Sequence, residues 1–251
     1  MIIVAHPDDE TLGIGGHLDQ LDDVVIVHVT DGAPRNMSDA RRLGFETREA
    51  YALARRAELV AAMAEAAVSS EALLCLGVAD QDAAAQLVGL CRAIAELLRR
   101  HEPAIVFTHA YEGGHPDHDA IAFATHMAVR MTRACGAPSA IIVEMPLYRE
   151  EEGRMAAQSF APGSDIPAVS LTLSPGAQRR KRRMFECFHT QQAVLARFPI
   201  GVEQFRRAPD YDFTRLPNGG ELYYERFSWE CDGPRWLGFV RAALVELGLP
   251  R

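Results

Sequence analysis

The chain has 251 residues, of which 48% are hydrophobic and 24% charged, a composition typical of a globular protein with one sizeable core. Its net charge of −8 argues against broad nucleic-acid binding, which requires a basic surface to replace counterions. No apolar run approaches the roughly 18–20 residues that span a bilayer, and the apolar run before His6 is too short for a signal peptide. The five cysteines are far apart and form no Cys-x-x-Cys pair, so we expect reduced thiols in a cytoplasmic protein and no thiolate metal site.

Short β-branched runs alternate with longer helical patterns through the first two-thirds of the chain. The runs predict buried strands at residues 1–5, 24–29, 73–76, 104–108 and 140–145. The longer patterns predict helices at residues 46–67, 83–100 and 119–135. Alternating strands and helices favour right-handed crossovers, so the sequence predicts an α/β fold with a mostly parallel sheet covered by helices on both faces.

The last hundred residues are less regular. Ser174-Pro175 is typical of a helix start and predicts a helix that runs to about Phe198. A loop is expected at 199–221, a short strand at 222–227 and a terminal helix at 234–247.

The chain contains no internal repeat, low-complexity tract or linker. A length near 250 residues suits one large α/β domain. We therefore expect a single domain over residues 1–251, with residues 1–145 as its α/β core and residues 146–251 packed on that core.

Two groups of polar side chains directly follow two of the predicted strands. His6 to Glu10 follow the first strand, and the loop from His109 to His118 follows the fourth. Because ligands bind parallel sheets at the carboxyl ends of the strands, we expect both groups on the same edge of the sheet.

The first group, His6-Pro7-Asp8-Asp9-Glu10, places an imidazole and three carboxylates on a turn between strand and helix. Helix capping and the helix dipole explain one of the two Asp residues, but not the whole group. Two adjacent carboxylates on a turn can point in different directions. One of them can join His6 on a metal while the other faces the substrate.

The second group contains Gly113-Gly114, which lets the backbone turn sharply, and then His115 and His118 on either side of Pro116. Two histidines and one carboxylate with an open position match a catalytic zinc site, which activates water and polarises an amide carbonyl. His109 stays open. The remaining histidines are interpreted as surface or core residues: His17, His28, His101, His126 and His189.

Together, the segments 6–10 and 115–118 resemble the paired signatures of the LmbE-like (PIG-L) N-deacetylases. Arg55-x-x-Glu58-Leu59 and Thr108-His109 extend the resemblance, which covers about residues 1–145. It implies a Rossmann-like α/β fold and a zinc-dependent hydrolase that removes an N-acyl group, usually acetyl, from an amino sugar or a glycoconjugate. The implied partner is this small molecule, and the resemblance leaves an oligomer open.

The resemblance also implies the metal ligands and the general base. His6, Asp9 and His118 correspond to the zinc ligands of the family. Asp8 corresponds to the base that takes a proton from water.

Further roles are implied for residues around these ligands. His115 corresponds to the general acid or the stabiliser of the tetrahedral oxyanion, with Asp117 orienting it. Arg55, Asp80 and Tyr111 are expected to contact the substrate, although the first two would otherwise be ordinary ion-pair residues.

Other functions compete with this one. The glycines at 13–16 fail the dinucleotide-binding pattern, because its third glycine would be Leu18. A metal-dependent phosphoesterase would favour more carboxylates and fewer histidines. A catalytically silent sugar-binding protein on the same scaffold would not need every catalytic side chain. Some aromatic residues of the tail either line a sugar site or belong to the core: Tyr211, Tyr223, Tyr224, Trp229 and Trp236.

Overall fold

The structure is a computed structural model that describes residues 1–136, 138–163, 165–227 and 229–249. Five parallel strands build one side of a seven-stranded sheet: β1 (Ile2–Val4), β2 (Ile26–Pro34), β3 (Leu73–Asp80), β4 (Ile105–His109) and β5 (Ile141–Met145). The later strands are β6 (Tyr148–Glu151), β7 (Arg154–Ala157), β8 (Val169–Thr172) and β9 (Val202–Arg207). β6 and β7 form a separate hairpin, and β9 and β8 extend the sheet in antiparallel orientation to give the order β3-β2-β1-β4-β5-β9-β8.

The helices are α1 (Asp9–Ile14), α2 (Ser38–Arg42), α3 (Arg48–Glu65), α4 (Leu87–His101), α5 (Pro116–Ala134), α6 (Pro175–Cys187), α7 (Gln192–Leu195) and α8 (Gly233–Leu247). Short 3-10 turns lie at Leu18–Gln20, Ser70–Ala72, Ala83–Gln86, His189–Gln191, Asn218–Gly220 and Tyr223–Arg226. Within the described residues, every helix is too short or too polar to cross a lipid bilayer.

The core lies on both faces of the sheet because successive strand residues point to opposite sides. Ile2 and Val4 of β1 pack with residues of α1, α3 and α6 on one face. Ile3 and Ala5 pack with residues of α4, α5 and α8 on the other. The predicted parallel sheet with helices on both faces is therefore confirmed as a Rossmann-like α/β fold.

The strand order reverses at β1, which lies between β2 and β4. Connections from these neighbouring strands leave in opposite directions, and this opens a crevice at their carboxyl ends. His6 follows β1, and His109 is the last residue of β4. The expectation that both groups of polar residues share one edge is correct.

The predicted strand at 222–227 is wrong. Residues Tyr223–Arg226 form a 3-10 turn instead. Tyr223 and Tyr224 are both buried, whereas a strand would point two neighbours to opposite sides. The Tyr223 N–H also donates to the carbonyl of Gly113, 2.8 Å away, which ties the turn to the loop that carries the second motif.

The predicted loop at 199–221 and the predicted helix to Phe198 are also incorrect in part. β9 lies within the loop, where Glu203 and Arg206 are buried by pairing with charged partners. In the sequence, charged residues indicate an exposed loop, since charged side chains are rarely buried without a partner. The partners of Glu203 and Arg206 are distant in sequence and could not be recognised. α6 ends at Cys187, and a 3-10 turn and α7 replace its continuation.

A buried ion pair links the N-terminal and C-terminal parts of the chain. Lys181 of α6 donates to Glu203 of β9 at 2.6 Å and to the carbonyl of Leu12 at 2.8 Å. The N–H of Gly16 donates to the same Glu203 oxygen at 2.7 Å. Because the network joins α1 to the last third of the chain, we propose that residues 1–251 form one domain.

Removal of the lysine should leave the buried Glu203 carboxylate without its ammonium partner, with the His17 ring 2.6 Å away as its other side-chain contact among the described residues. Lys181→Met is expected to lower the free energy of unfolding by roughly 3–5 kcal/mol. Arg183→Ala is the control. Arg183 lies on the same helix as Lys181 and pairs with Glu65 at 2.6 Å, but its side chain is 52% exposed. That change should cost about 0–1 kcal/mol. Urea unfolding followed by circular dichroism measures both, and equal losses would contradict the role of the buried pair.

Candidate active site

The carboxyl ends of β1 and β4 bring together a cluster of ionisable side chains. They come from the turn after β1, the end of β3, the end of β4 and the first turn of α5. Nearly all of them are buried, so their charges act on one another rather than on solvent. The acid–histidine cluster, as we call it, consists of His6, Asp8, Asp9, Asp80, His109, His115, Asp117 and His118.

The turn after β1 holds Asp8 in a rare backbone conformation, with φ of 152°. Such a conformation costs of the order of 1–3 kcal/mol and persists only where surrounding contacts fix it. Arg55 donates to the carbonyl of Pro7 at 2.9 Å and to the Asp8 carboxylate at 3.1 Å. Glu10 accepts the Asp8 N–H at 3.2 Å and is itself held by His28 at 2.8 Å. The strained turn therefore separates the directions of the two Asp side chains.

His6, Asp9 and His118 bring three potential ligand atoms together. The Nδ1 atom of His6 lies 3.3 Å from Nε2 of His118 and 3.3 Å from Oδ2 of Asp9. The other Asp9 oxygen, Oδ1, lies 3.5 Å from Nε2 of His118. A tetrahedral zinc with ligand distances of roughly 2.0–2.2 Å separates its ligand atoms by about 3.3–3.6 Å. The donor types and their spacing therefore fit a divalent metal.

Other members of the cluster also lie within reach of a metal. The potential ligand sets overlap: His6, His115 and His118; Asp9, His109 and His118; and His6, Asp80, His115 and Asp117. Nε2 of His109 already accepts the Ala5 N–H, and the Asp117 carboxylate accepts two backbone N–H groups, which favours the combination of His6, Asp9 and His118 over the sets that contain His109 or Asp117. His115 and Asp80 lie beside this combination.

Asp117 holds His6 more closely than His115. Its Oδ2 lies 3.3 Å from Nε2 of His6, against 3.9 Å from Nδ1 of His115. Asp80 lies 3.2 Å from the same His6 nitrogen. The expectation that Asp117 orients His115 stays a prediction, and the hydrogen bond between the two residues is made by the Asp117 backbone N–H. Carboxylates that accept from Nε2 fix the orientation of the His6 ring, so that Nδ1 can serve as the metal ligand once its proton is displaced.

The hydrogen-bonding state of His115 follows from its place at the start of α5. As the N-cap residue, it accepts the N–H of Asp117 through Nδ1 at 3.1 Å. In the neutral ring the proton therefore sits on Nε2. That nitrogen lies 3.7 Å from Asp80, on the side of the cluster where His6 and His118 lie.

Burial and mutual charge shift the pKa values across the cluster. Burial raises the pKa of Asp8 to about 8, even though Arg55 opposes the shift. Burial acts in the same direction on Asp9, but His118, His109 and His6 outweigh it and hold its pKa well below the usual range. Adjacent carboxylates with pKa values pushed apart are typical of active sites.

The pKa of His115 is lowered to about 3, first by burial and then by the neighbouring His6. The ring is therefore neutral around pH 7. A neutral ring can still donate a hydrogen bond from Nε2, which suits the stabilisation of an oxyanion. This form does not suit a general acid that carries its own positive charge.

Of the three predicted substrate contacts, Asp80 is the one that belongs to the cluster and also lines a described cleft. Arg55 is buried behind Asp8, where it also donates to the carbonyl of Gly32 at 2.9 Å. Its visible role is to hold the turn. The hydroxyl of Tyr111 donates to the carbonyl of Arg215 and accepts from Trp236, and its described contacts belong to the C-terminal core.

Two aromatic rings of the site were not assigned from the sequence. His109 accepts the Ala5 N–H at 2.8 Å and stacks on His118, with ring centroids 4.1 Å apart. Tyr148 lies 5.3 Å from the His118 ring, and its hydroxyl bonds to no other described residue. Tyr148 follows the third parallel strand at this edge, β5, so the rule applied to β1 and β4 would have found it.

Comparison with known proteins identifies the family. The PIG-L family model, described as GlcNAc-PI de-N-acetylase, matches residues 1–129, which include both motifs. The chain belongs to the PIG-L family. It is thus a member of a family of hydrolytic N-deacetylases, as the motif pair predicts. No curated protein sequence matches the chain.

Solved structures share the PIG-L fold over most of the chain. A triple mutant of a deacetylase in the teicoplanin pathway, Orf2*T, has a TM-score of 0.64 and 21% identity, and covers 84% of this chain and 98% of its own. The A40926 pseudoaglycone deacetylase Dbv21 has a TM-score of 0.63 and 19% identity, covering 82% and 95%. At these identities the likeness concerns the fold alone.

The same fold occurs in a protein described by a different reaction. GalB, a 4-carboxy-2-hydroxymuconate hydratase from Pseudomonas putida KT2440, has a TM-score of 0.56 and 19% identity, and covers 78% of this chain and 80% of its own. The fold therefore does not decide the reaction, and the function of this chain has to be argued from its site.

Gly114 should be intolerant of a side chain, because a Cβ atom there would meet the backbone carbonyl oxygen of Tyr148 at 1.9 Å. Gly114→Ala is expected to lower the free energy of unfolding by roughly 1–3 kcal/mol. Gly89→Ala in α4 is the control, since a Cβ atom meets nothing within 4 Å there. That change should raise stability by about 0.5–1 kcal/mol. Thermal and urea unfolding of both variants test this, and an unchanged Gly114→Ala protein would refute the close approach.

Proposed function

We propose that this PIG-L family member is a zinc-dependent hydrolase that removes an N-acyl group, acetyl in the first instance, from an amino sugar or a glycoconjugate. The observation that carries the proposal is the trio His6, Asp9 and His118, in which the two ring nitrogens lie 3.3 Å apart and each lies 3.3–3.5 Å from one of the two Asp9 oxygens. A second carboxylate and a third imidazole, Asp8 and His115, lie next to the trio. Family membership supports the same reaction.

In this proposal His6, Asp9 and His118 hold the zinc. When bound, zinc lowers the pKa of a water molecule to ~7 and polarises an amide carbonyl. Asp80 and Asp117 contact Nε2 of His6 and orient the ring so that Nδ1 faces the metal position. Two imidazoles and a carboxylate suit zinc better than the oxygen-only sets that magnesium prefers, which argues against the phosphoesterase alternative.

Asp8 acts as the general base. Its Oδ2 is held by Arg55, while Oδ1 bonds to no other described residue, so the deprotonated carboxylate can accept a proton from water there. Because burial raises the pKa of Asp8 to about 8, the fraction in this form grows as the pH rises towards that value. The carboxylate lies on the same turn as the ligand Asp9, so the proton has a short distance to travel. General base catalysis of this kind contributes ~10²- to 10⁴-fold to the rate.

His115 stabilises the oxyanion that develops on the amide carbonyl. Its Nδ1 is engaged by the Asp117 N–H, so Nε2–H is the donor that faces the cluster. A donor that is fixed before the reaction stabilises the developing charge at no further cost in reorganisation. The proton that Asp8 accepts is then available to the leaving amine.

Metal and activity should disappear together when a ligand is removed. We expect His118→Ala to lose zinc and to release no acetate from an N-acetylglucosamine compound, and a chelator should have the same effect on the parent protein. His101→Ala is the control, because His101 is exposed at the end of α4. Elemental analysis and an acetate assay provide the readouts. Full zinc occupancy in His118→Ala, or cleavage of phosphoesters but no amide, would refute the assignment.

Asp8 and Asp9 should differ in what their amide variants lose. Asp8→Asn cannot accept a proton, so it should retain zinc while kcat falls by ~10²- to 10⁴-fold. Asp9→Asn should weaken zinc binding, and excess zinc should partly restore its activity. Zinc affinity and kcat measured side by side decide the matter. If Asp8→Asn loses zinc and Asp9→Asn keeps it, the two roles are reversed.

A further inference from the structure

A cleft of about 250 Å³ opens directly beside the acid–histidine cluster. Asp80 forms its inner wall and contacts both His6, at 3.2 Å, and His115, at 3.7 Å. A ligand in this cleft would therefore lie next to the proposed reacting atoms. The volume is below the roughly 300–1,000 Å³ of sites for drug-sized ligands, so it suits one sugar ring better than an oligosaccharide.

Trp229 connects the cleft to the cluster. Its indole ring lies 4.5 Å from the His115 ring, at a tilt of 56°, and also lines the cleft. Phe227 stacks on the indole at 4.6 Å and holds it in place. Both aromatic residues lie beyond residue 129, where the match to the family model ends.

The structure separates Trp229 from the other aromatic residues of the tail. Trp236 and Tyr224 are fully buried, and Tyr223 is 8% exposed. Tyr211 packs against Tyr111 and hydrogen-bonds to Arg206. Trp229 is the one of these five that lines the cleft, among the residues described there.

The charges around the cleft favour an uncharged ligand. Arg35 is paired with Asp82 at 2.6 Å, and Arg235 lies 3.8 Å from Glu230, so each arginine of the lining faces an acid of the same lining. An anionic ligand would have to compete with these carboxylates for the arginines and would also meet the Asp80 carboxylate in the cleft. Asn36 accepts two bonds through Oδ1, and its Nδ2 donates to no other described residue, which leaves an amide donor for a hydroxyl group.

We infer that Trp229 forms the sugar-ring wall of a subsite for one neutral pyranose, whose N-acyl group points past Asp80 to the acid–histidine cluster. The inference rests on the proposed function and adds the residue of the C-terminal part, Trp229, that binds the sugar ring carrying the scissile amide. The C–H bonds of a pyranose carry partial positive charge and are attracted to the electron-rich surface of an aromatic ring. The polar groups of the cleft meet its hydroxyls.

The two tryptophans of the chain allow a test that does not depend on turnover. Trp236 is fully buried and donates to Tyr111 at 2.7 Å, so a ligand in the cleft should change the fluorescence of Trp229 alone. The protein used is the zinc-loaded full chain carrying Asp8→Asn, which is expected to bind without cleavage. The probes are the methyl glycoside of N-acetylglucosamine, N-acetylglucosamine 1-phosphate and N-methylacetamide, an amide without a sugar.

We expect the neutral glycoside to shift the fluorescence and to bind more tightly than either other probe. In calorimetric titrations, Trp229→Ala should weaken its binding by roughly 3- to 10-fold, while Trp229→Phe keeps a ring and should retain most of the affinity. Unchanged fluorescence at saturation, undetectable binding, equal affinity in Trp229→Ala, or preference for the phosphate would each overturn the inference. Binding with the expected tryptophan response, but no acetate release by the parent enzyme, would support the subsite and refute the proposed reaction.

Discussion

Ionisable side chains that cannot reach water have to neutralise one another, and the site of this protein depends on that constraint. His6 lies 3.2–3.3 Å from carboxylate oxygens of Asp9, Asp80 and Asp117. Asp9 in turn contacts His109 and His118. His6 and Asp9 each have three such partners, so moving either residue would weaken three buried contacts at once. The ligand atoms are therefore held at metal-binding distances by the electrostatics of the chain itself.

Backbone donors complete this balance and fix its position in the fold. Asp117 accepts the N–H groups of Gln81 and Ala83 at 2.6 and 3.0 Å, which ties the first turn of α5 to the end of β3. Asp9 and Asp117 both lie in the first turn of a helix, where the dipole favours negative charge. The cluster thus joins β1, β3 and α5, and the strained turn at Asp8 is one consequence.

The C-terminal part of the chain supports the same cluster from outside. The Glu112 carboxylate accepts the N–H groups of Leu147 and Tyr148 at 2.7 and 3.1 Å, so the loop with the second motif holds the start of β6. Tyr223 donates to Gly113 of that loop. The residues beyond the family match therefore determine where Tyr148 and Trp229 lie relative to the two motifs.

The sequence predicted the fold of the N-terminal half well, because its signals are local. Buried parallel strands are continuous apolar runs, and the two motifs follow them directly. β9 was missed because the partners of Glu203 and Arg206 are distant in sequence. The same limit applies to the site: the closeness of Asp117 to His6 depends on a contact between β1 and α5 that no spacing reveals. The segment Tyr223–Arg226 was predicted as a strand because aromatic residues are common in strands. Composition alone does not show that Tyr223 and Tyr224 are both buried, as they are in the observed 3-10 turn.

The separation of the acid–histidine cluster from the adjoining cleft is consistent with one fold occurring both in a deacetylase family and in a hydratase. The acid–histidine cluster, apart from its contacts to Tyr148 and Trp229, is built entirely from residues within the family match. In the proposed function, the activation of water needs only this part, and water is a reactant in both hydrolysis and hydration. The choice of the group that water attacks then depends on what the adjoining cleft admits beside Asp80. In this chain the cleft is walled by Trp229 and by residues at the start of α8, which come from the C-terminal part. In the proposals above, the two motifs supply the reacting groups, and the cleft that selects the substrate combines residues of both parts of the chain, such as Asn36 and Trp229.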